Sequence, residues 1–334
     1  MINVALLSRW HVHADDYAHQ SKQHEQLSIK KIWDENVERG RQWAQELNIP
    51  FEKDLNKILS DSEIDAVIVN TPTHLHRTVI MEAAKQNKHI FTEKVLAFTT
   101  RDCEEIYQAV ENAGVELMVS LPRLTEPSYL YAQKVIENNW IGKLTTIRCR
   151  LAHDGAVIAE GETERWLPDR FFNKDETGGG ALIDLGAHPI YLTSRLGGPI
   201  KALYARLKHT THLDVDDQAV MLLEYTSGAL GVIETGFLSY GSPFQLELYG
   251  TAGALIIHDE KIILKSKPLG QFDWTEPDDL PEPLPLPFDQ WIHAIQNHTS
   301  PMIQKSDVIR LTQVNEVAAV SDKEKRRIEL VDPI

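Results

Sequence analysis

A chain of 334 residues with 42% hydrophobic and 25% charged side chains is long enough to form two globular domains. Its formal net charge of -15 argues against a nucleic-acid partner, because phosphate binding requires a basic face and no dense run of Lys and Arg is present. No apolar stretch approaches the ~18 residues of a membrane helix, so we expect no membrane partner.

The cysteines indicate a reducing compartment. Cys103 and Cys149 fall in different predicted elements and provide no disulfide framework. The N-terminus enters a strand-like run directly, without a charged region and a long apolar one. We therefore expect a cytoplasmic protein.

Short apolar runs alternate with helical patterns through the first part of the chain. The predicted strands are Asn3–Leu7, Leu27–Asp34, Asp65–Asn70, His89–Thr92 and Val115–Val119. One helix is predicted to end at His24. Three more are predicted over Asn36–Leu47, Thr73–Gln86 and Thr100–Asn112. This alternation predicts a Rossmann-like domain over residues 1–122, with an open, doubly wound parallel sheet that binds ligands beyond the carboxyl ends of its strands.

The turn after the first predicted strand lacks the glycines of a dinucleotide-binding loop. Such a loop normally reads Gly-x-Gly-x-x-Gly, because side chains would block the pyrophosphate. Here the turn contains Ser8, Arg9, Trp10 and His11 and no glycine. Either Ser8, Arg9 or His11 reaches phosphates that lie farther from the backbone, or the cofactor has been lost.

Asp34 closes the second predicted strand, where a carboxylate would bind an adenine-ribose hydroxyl. Its charge would repel a 2′-phosphate, which favours NAD, whereas Arg9 and Arg39 leave room for NADP. A helix cap is the alternative role for Asp34.

Lys94 follows the strand His89–Thr92, at the carboxyl edge of the predicted sheet. A lysine there would lie in a cleft beside a bound nicotinamide ring. Burial and the positive charge of the ring would both lower its pKa, which makes Lys94 a candidate proton carrier. A surface lysine at a strand end is the alternative.

Three glycines at positions 178–180 precede a stretch that we interpret as the centre of the chemistry. A helix beginning near Ala181 would place Asp184 and His188 four residues apart on one face. The carboxylate would then orient the imidazole for general acid–base chemistry. A solvated face or a local hydrogen-bonded pair is the alternative.

Residues 123–334 are predicted to form an α+β domain with an open, largely antiparallel sheet. Its strand candidates are Lys143–His153, Ile200–His209, Gln218–Tyr225, Ala229–Leu238, Phe244–Gly250, Leu255–His258 and Lys261–Lys265. One face would carry helices. A second subunit would cover the other face, so we expect a homodimer or homotetramer through this sheet.

Two histidine pairs could indicate a metal site. His11 and His13 are two residues apart, as are His74 and His76. Each pair straddles a strand-to-helix turn in a cofactor-like position, and a metal site needs three or four converging ligands. We therefore predict no metal.

Three motifs together resemble the Gfo/Idh/MocA family of nicotinamide-dependent sugar and polyol oxidoreductases. They are Thr71-Pro72-Thr73 with His76, then Glu93-Lys94, then Gly178-Gly-Gly-Ala-Leu-Ile-Asp184-Leu-Gly-Ala-His188. The chain departs from the family pattern at three places: the missing glycines of the phosphate loop, Val95 in place of a proline, and Tyr191 where an acidic residue is common.

The resemblance implies a catalytic trio of Lys94, Asp184 and His188. Cofactor contacts are expected at Ser8, Arg9, Trp10, His11, Asp34, Thr71, Pro72, His76 and Glu93. Substrate contacts are expected at Lys94, Arg123, Trp166, Arg170 and His188.

The predicted function is hydride transfer between NAD, with NADP as the second possibility, and a CH–OH group of a sugar, inositol or related polyol. His188 or Lys94 would take the hydroxyl proton, and Asp184 would hold its partner in position. The alternative is a sugar-binding or regulatory protein that has lost redox turnover because the glycine-rich loop is absent.

Overall fold

The computed structural model describes residues 1–330. Its contacts divide the chain into two compact units. The first comprises residues 1–120 and 287–305, and the second comprises residues 121–286 and the segment from residue 306 onward. The segment 287–305 thus belongs to the first unit, whereas the predicted division after residue 122 assigned it to the second.

A five-stranded parallel sheet forms the centre of the first unit and confirms the predicted doubly wound architecture. Its strands are β1 (Ile2–Leu7), β2 (Leu27–Trp33), β3 (Ala66–Val69), β4 (His89–Thr92) and β5 (Leu117–Val119). The order is β2-β1-β3-β4-β5, so the chain changes direction across the sheet between β1 and β3. Ligands of doubly wound sheets bind at this switch point, outside the carboxyl ends of the strands.

Helices connect these strands, and burial on both faces explains the continuous apolar runs. The helices are α1 (Ala14–Gln23), α2 (Val37–Leu47), α3 (Leu55–Leu59), α4 (Thr73–Lys85) and α5 (Thr100–Ala113). All four residues of β3 are buried, as parallel strands covered by helices on both faces require.

Within residues 1–330, a nine-stranded sheet forms the centre of the second unit. Its strands are β6 (Leu144–Ala152), β7 (Ile200–Lys208), β8 (Gln218–Tyr225), β9 (Leu230–Gly236), β10 (Gln245–Gly250), β11 (Gly253–His258), β12 (Lys261–Ser266), β13 (Gln271–Thr275) and β14 (Ile328–Glu329). The order is β13-β12-β11-β10-β6-β9-β8-β7-β14. Neighbouring strands run antiparallel except β6 and β9, which confirms the predicted, largely antiparallel sheet.

The remaining helices are α6 (Pro127–Glu137), α7 (Lys174–Thr177), α8 (Ala187–Gly197), α9 (Pro287–Asn297) and α10 (Lys305–Glu324). In the second unit, α8 packs on β6 and β9. In the first unit, α9 packs on the sheet, where the ring centroids of Phe288 and Trp291 lie 5.1 and 5.7 Å from that of Phe91. Within residues 1–330, no helix has the length and apolar character that crossing a membrane requires.

One predicted helix start is wrong. The helix expected from Ala181 begins at Ala187, and the residues before it form successive turns. The amide of Gly186 donates to the carbonyl of Ala181, five residues earlier, at 2.8 Å. This widened turn breaks the helical period, because an α-helix bonds each amide to the carbonyl four residues earlier. Asp184 and His188 therefore do not share one face of a regular helix.

Candidate active site

The turn after β1 is made by a serine. Ser8 has a φ of 76°, in the left-handed region that glycine usually supplies. Its amide donates to the carbonyl of Trp33 at 2.6 Å, and its hydroxyl accepts the amide of Trp10 at 3.0 Å. Ser8 thus adopts the backbone conformation expected of the missing first glycine, and its hydroxyl binds the amide of Trp10.

The other amides of this loop also have partners inside the protein. Arg9 donates its amide to Asp34 at 2.8 Å, and His11 donates its amide to the carbonyl of Asn70 at 3.1 Å. The guanidinium of Arg9 pairs with Asp15 at 2.9 Å and Glu46 at 2.8 Å. The predicted phosphate contacts of residues 8–11 stay predictions, and a pyrophosphate would compete with these bonds.

Asp34 lies at the carboxyl end of β2 with its side chain fully buried. One carboxylate oxygen accepts the amide of Asn36 at 2.8 Å and Arg39 Nη2 at 2.7 Å; the other accepts the amide of Arg9 at 2.8 Å and Arg39 Nε at 3.0 Å. A carboxylate with four donors is strongly held in place. Its predicted contact with an adenine ribose would require Arg39 to share it.

Asn70 and Thr71 follow β3 at the switch point, and sequence reasoning missed Asn70. Both residues are buried, and both polar atoms of the Asn70 side chain and the hydroxyl of Thr71 have no hydrogen-bond partner among the described residues. Buried polar atoms are normally paired, so these atoms fit a bound polar ligand. The sequence did contain a signal for Asn70, which is a polar residue at the end of an apolar strand.

His76 ties two loops of the first unit together. Its Nδ1 lies 3.1 and 3.2 Å from the carbonyls of Val95 and Leu96, and its Nε2 lies 3.1 Å from the carbonyl of Thr71. Burial lowers the pKa of His76 to about 4, although the three carbonyls favour the protonated ring. His76 holds Thr71, and its own predicted cofactor contact stays a prediction.

Glu93 and Lys94 follow β4. Glu93 is buried, accepts the hydroxyl of Tyr17 on one oxygen, and accepts the amide of Lys94 on the other at 3.2 Å. The Tyr17 hydroxyl also lies 2.9 Å from Ser120 Oγ. Burial and the nearby Glu93 carboxylate raise the pKa of Tyr17, which keeps this phenol neutral. Lys94 is half-buried, and the peptide bond between Lys94 and Val95 is cis.

Asp216 shapes the glycine turn of the second unit. Its carboxylate accepts the amides of Gly180 and Leu182, both at 2.8 Å, and its carbonyl accepts the amide of Ala181 at 2.7 Å. A Cβ at position 180 would lie 2.0 Å from that carbonyl oxygen, so only glycine fits there. Sequence reasoning assigned no role to Asp216, because nothing local links it to a turn 36 residues earlier.

His188 is the second residue of α8 and is half-buried. Its Nδ1 lies 2.7 Å from the hydroxyl of Tyr191, one turn later in the same helix. That hydroxyl also accepts the amide of Arg123 at 3.3 Å. The amide of Asp184 donates to the carbonyl of Gly180 at 3.0 Å, and the predicted role of Asp184 in orienting the catalytic partner stays a prediction.

The predicted substrate residues of the second unit have polar or aromatic neighbours. The Arg123 guanidinium lies 4.7 Å above the Phe244 ring and pairs with Glu126 at 3.2 Å. Arg123, Glu126 and Phe244 line part of a cavity of about 710 Å³. Exposed Trp166 donates to Asp154 at 3.0 Å, and Arg170 lies 5.9 Å from the centre of the adjacent Phe171 ring.

The three predicted catalytic residues belong to different units. Lys94 belongs to the first unit, and Asp184 and His188 belong to the second. Their convergence around one substrate stays a prediction. In the described part of the chain, no group of three or more His, Cys, Asp or Glu side chains is placed to hold a metal ion.

The fold and these polar residues define a two-part protein with a Rossmann-type nucleotide-binding unit and an α+β unit. Residues 11–121 match the sequence profile of the oxidoreductase family with an NAD-binding Rossmann fold, and residues 129–256 match the Gfo/Idh/MocA C-terminal domain. The chain belongs to the Gfo/Idh/MocA family, which confirms the resemblance. The first match starts at His11, beyond the glycine-free residues Ser8–Trp10.

Two of the relatives are named as dehydrogenases of an inositol and of levoglucosan. The scyllo-inositol 2-dehydrogenase (NAD(+)) of Bacillus subtilis (strain 168) is 32% identical over 242 residues, covering 69% of this chain and 67% of the relative. The levoglucosan dehydrogenase of Pseudarthrobacter phenanthrenivorans is 27% identical over 234 residues, covering 62% of this chain and 59% of the relative. The chain thus spans 59 to 67% of the length of the first curated relatives it matches.

Solved structures share the fold over nearly the whole chain. Levoglucosan dehydrogenase in complex with NADH and L-sorbose aligns with a TM-score of 0.83 and 22% identity, covering 99% of both chains. This likeness establishes the fold of both units.

Proposed function

We propose that the protein is an oxidoreductase that transfers a hydride between NAD and a CH–OH group of a sugar, inositol or related polyol. The observation that carries this proposal is the polar edge of the first sheet, where the buried side chains of Asn70 and Thr71 have no partner among the described residues. The family profile for an NAD-binding Rossmann fold covers this edge. Both named relatives are dehydrogenases, one of levoglucosan and one of scyllo-inositol.

The residues at the switch point fit a nicotinamide cofactor, which would supply the hydride acceptor. Asn70 and Thr71 would bind its polar groups, and Glu93, fixed by Tyr17, would lie near the nicotinamide ribose. Asp34 favours NAD because its charge would repel a 2′-phosphate. Arg39 lies 2.7 Å from Asp34 and is a cation that a 2′-phosphate would bind. The affinity for NADP must therefore be compared with the affinity for NAD.

The proposed chemistry needs one group to take the hydroxyl proton and others to orient the substrate. Lys94, Asp184 and His188 are the proposed catalytic residues. Arg123, Trp166 and Arg170 are proposed to contact the substrate, and the ion pair of Arg123 with Glu126 limits its freedom to bind an anion.

Cofactor titration and a substrate screen test the proposal. We expect saturable quenching of tryptophan fluorescence by NAD, since Trp10 lies in the loop after β1. We also expect turnover of at least one sugar or inositol. Lys94→Ala should lower kcat about 100-fold or more, the usual loss when a general acid or base is removed.

Lys85→Ala is the matched control, because this side chain is 70% exposed at the end of α4. It should leave kcat unchanged. Binding of neither NAD nor NADP would refute the proposal, and equal activity of Lys94→Ala and the parent would remove Lys94 from the mechanism.

We propose a cytoplasmic location for the protein. Cys103 and Cys149 are both buried and form no disulfide, as is usual in a reducing compartment.

We also propose that a second copy covers the open face of the larger sheet. Alternate residues of β8 and β9 on the face opposite α8 are exposed, with Val220 at 46%, Leu222 at 53% and Leu230 at 56%. The neighbouring ion pair of Arg148 and Glu234, at 2.7 Å, places both signs of charge on adjoining strands. A patch with apolar residues and both charges can pair with itself across a two-fold axis.

Leu222→Glu should convert the assembly to monomers, because two carboxylates would be buried close to the symmetry axis. Sedimentation equilibrium of the parent and the variant measures this change. Tyr240→Glu, at a residue that is 91% exposed in the turn after β9, is the control and should leave the mass unchanged. A monomeric parent at micromolar concentration would refute the sheet-mediated dimer.

A further inference from the structure

The guanidinium of Arg39 lies between two carboxylates in the first unit. Its Nε and Nη2 donate to the two oxygens of Asp34 at 3.0 and 2.7 Å, and Nη2 also donates to Glu35. The hydroxyl of Ser8 lies 3.3 Å from the same Nη2. Burial and the charge of Asp34 raise the pKa of Glu35, and Ser8 and Arg39 oppose that rise. Two acidic groups thus share one cation just after β2, where a bound dinucleotide would place its adenine ribose.

The two carboxylates differ in what they hold. Asp34 is fully buried and accepts the backbone amides of Arg9 and Asn36, both at 2.8 Å. It therefore fixes the turn after β1 and the start of α2. The side chain of Glu35 is 24% exposed and binds the guanidinium that Asp34 already holds. Replacing Glu35 therefore leaves both backbone amides with their acceptor.

The shape of the guanidinium makes Glu35 important for binding a phosphate. A guanidinium has two edges that can form a pair of parallel bonds, one with Nε and Nη2 and the other with Nη1 and Nη2. Asp34 occupies the first edge with both of its oxygens. The other hydrogen of Nη2 then serves Glu35. A phosphate can bind both nitrogens of the second edge only when Glu35 releases Nη2.

We propose that Glu35 selects NAD over NADP by occupying the edge of Arg39 that a 2′-phosphate would bind. This inference rests on the proposed dehydrogenase function. The ribose hydroxyls of NAD are uncharged and do not need this edge. A 2′-phosphate needs a cation and is also repelled by the carboxylate of Glu35. Asp34 already accepts four hydrogen bonds, and its main role is to hold the turn.

Calorimetric titration of the whole chain with NAD and with NADP tests the proposal without any substrate. The parent should bind NAD at least about tenfold more tightly than NADP. Glu35→Ala should raise the affinity for NADP about tenfold and change the affinity for NAD less than about twofold, because it gains one charge-assisted contact and removes one like charge. Glu35→Gln keeps an acceptor for Nη2 and should give a smaller gain.

Glu82→Ala is the matched control, because it also removes one carboxylate from the first unit. The side chain of Glu82 is 45% exposed in the last turn of α4 and lies 3.7 Å from Lys85. This variant should leave both affinities unchanged. The double variant Glu35→Ala/Arg39→Ala should lose the gain in NADP affinity, because the cation that binds the phosphate is absent.

The titrations also separate this inference from the proposed function. A parent that binds NADP as tightly as NAD would overturn the role of Glu35. The same conclusion would follow if Glu35→Ala bound NAD normally and kept the parent's ratio of the two affinities. Normal binding of NAD also shows that the first unit of the variant is folded. A parent that binds neither nucleotide would overturn the proposed function and this inference with it.

Discussion

Gly180→Ala is expected to destabilise the second unit by at least about 3 kcal/mol, at the upper end of the cost of overpacking a filled site. The new Cβ would lie 2.0 Å from the carbonyl oxygen of Asp216 and 2.9 Å from two further backbone atoms of the same residue. Backbone atoms cannot rotate away as a flexible side chain does. The turn must therefore move and break the bonds from Gly180 and Leu182 to the Asp216 carboxylate.

Urea unfolding followed by circular dichroism measures this loss, and Gly179→Ala is its matched control. A Cβ at position 179 would meet the Ile183 side chain at 3.2 Å, which a shift of a few tenths of an ångström relieves. The control should cost about 1 kcal/mol or less. Equal effects at the two positions would show that the Asp216 contact is not what requires glycine. The Gly180 variant should also lose activity, because the turn leads directly to Asp184.

Asp34→Ala is expected to destabilise the first unit by about 3 kcal/mol, the lower part of the range for removing one partner of a buried ion pair. The fully buried carboxylate of Asp34 receives two bonds from Arg39 and one each from the amides of Arg9 and Asn36. Its removal leaves the amides of Arg9 and Asn36 without this acceptor, whereas Arg39 keeps Glu35 and Ser8 as partners. The Arg39 side chain is 25% exposed, so water recovers part of the loss.

Asp16→Ala is the control for this prediction. The Asp16 side chain is 65% exposed and pairs with His13 in the first turn of α1, so its removal should cost less than about 1 kcal/mol. Thermal unfolding of the two variants and the parent measures the difference. Similar melting temperatures for both variants would show that Asp34 does not stabilise the turn after β1.

The ion pair between Asp34 and Arg39 also determines what a preference for NADP over NAD would require. If NADP binds more tightly than NAD, Arg39 must turn from Asp34 towards the 2′-phosphate. Arg39→Ala would then reduce NADP affinity and leave NAD affinity almost unchanged, whereas a purely structural Arg39 would affect both equally.

The pattern of amino acids was sufficient to predict both kinds of sheet and the sheet edge that carries the candidate cofactor residues. Buried parallel strands such as β3 are apolar throughout, and β8 alternates between buried and exposed residues, so each pattern specifies its own kind of sheet. Because the strands of the first sheet are parallel, their carboxyl ends lie at one edge of it. This is why Asp34, Thr71 and Glu93 could be placed at one edge of one sheet.

Contacts between residues far apart in the sequence became visible only in the folded chain. Tyr17 donates to Glu93 across 76 residues, Asp216 holds Gly180 across 36, and the Arg123 amide reaches Tyr191 across 68. Periodicity and propensity act over a few residues, whereas these bonds depend on how distant elements pack. For the same reason the start of α8 was predicted too early: the turn before it takes its shape from Asp216, a residue outside any local pattern.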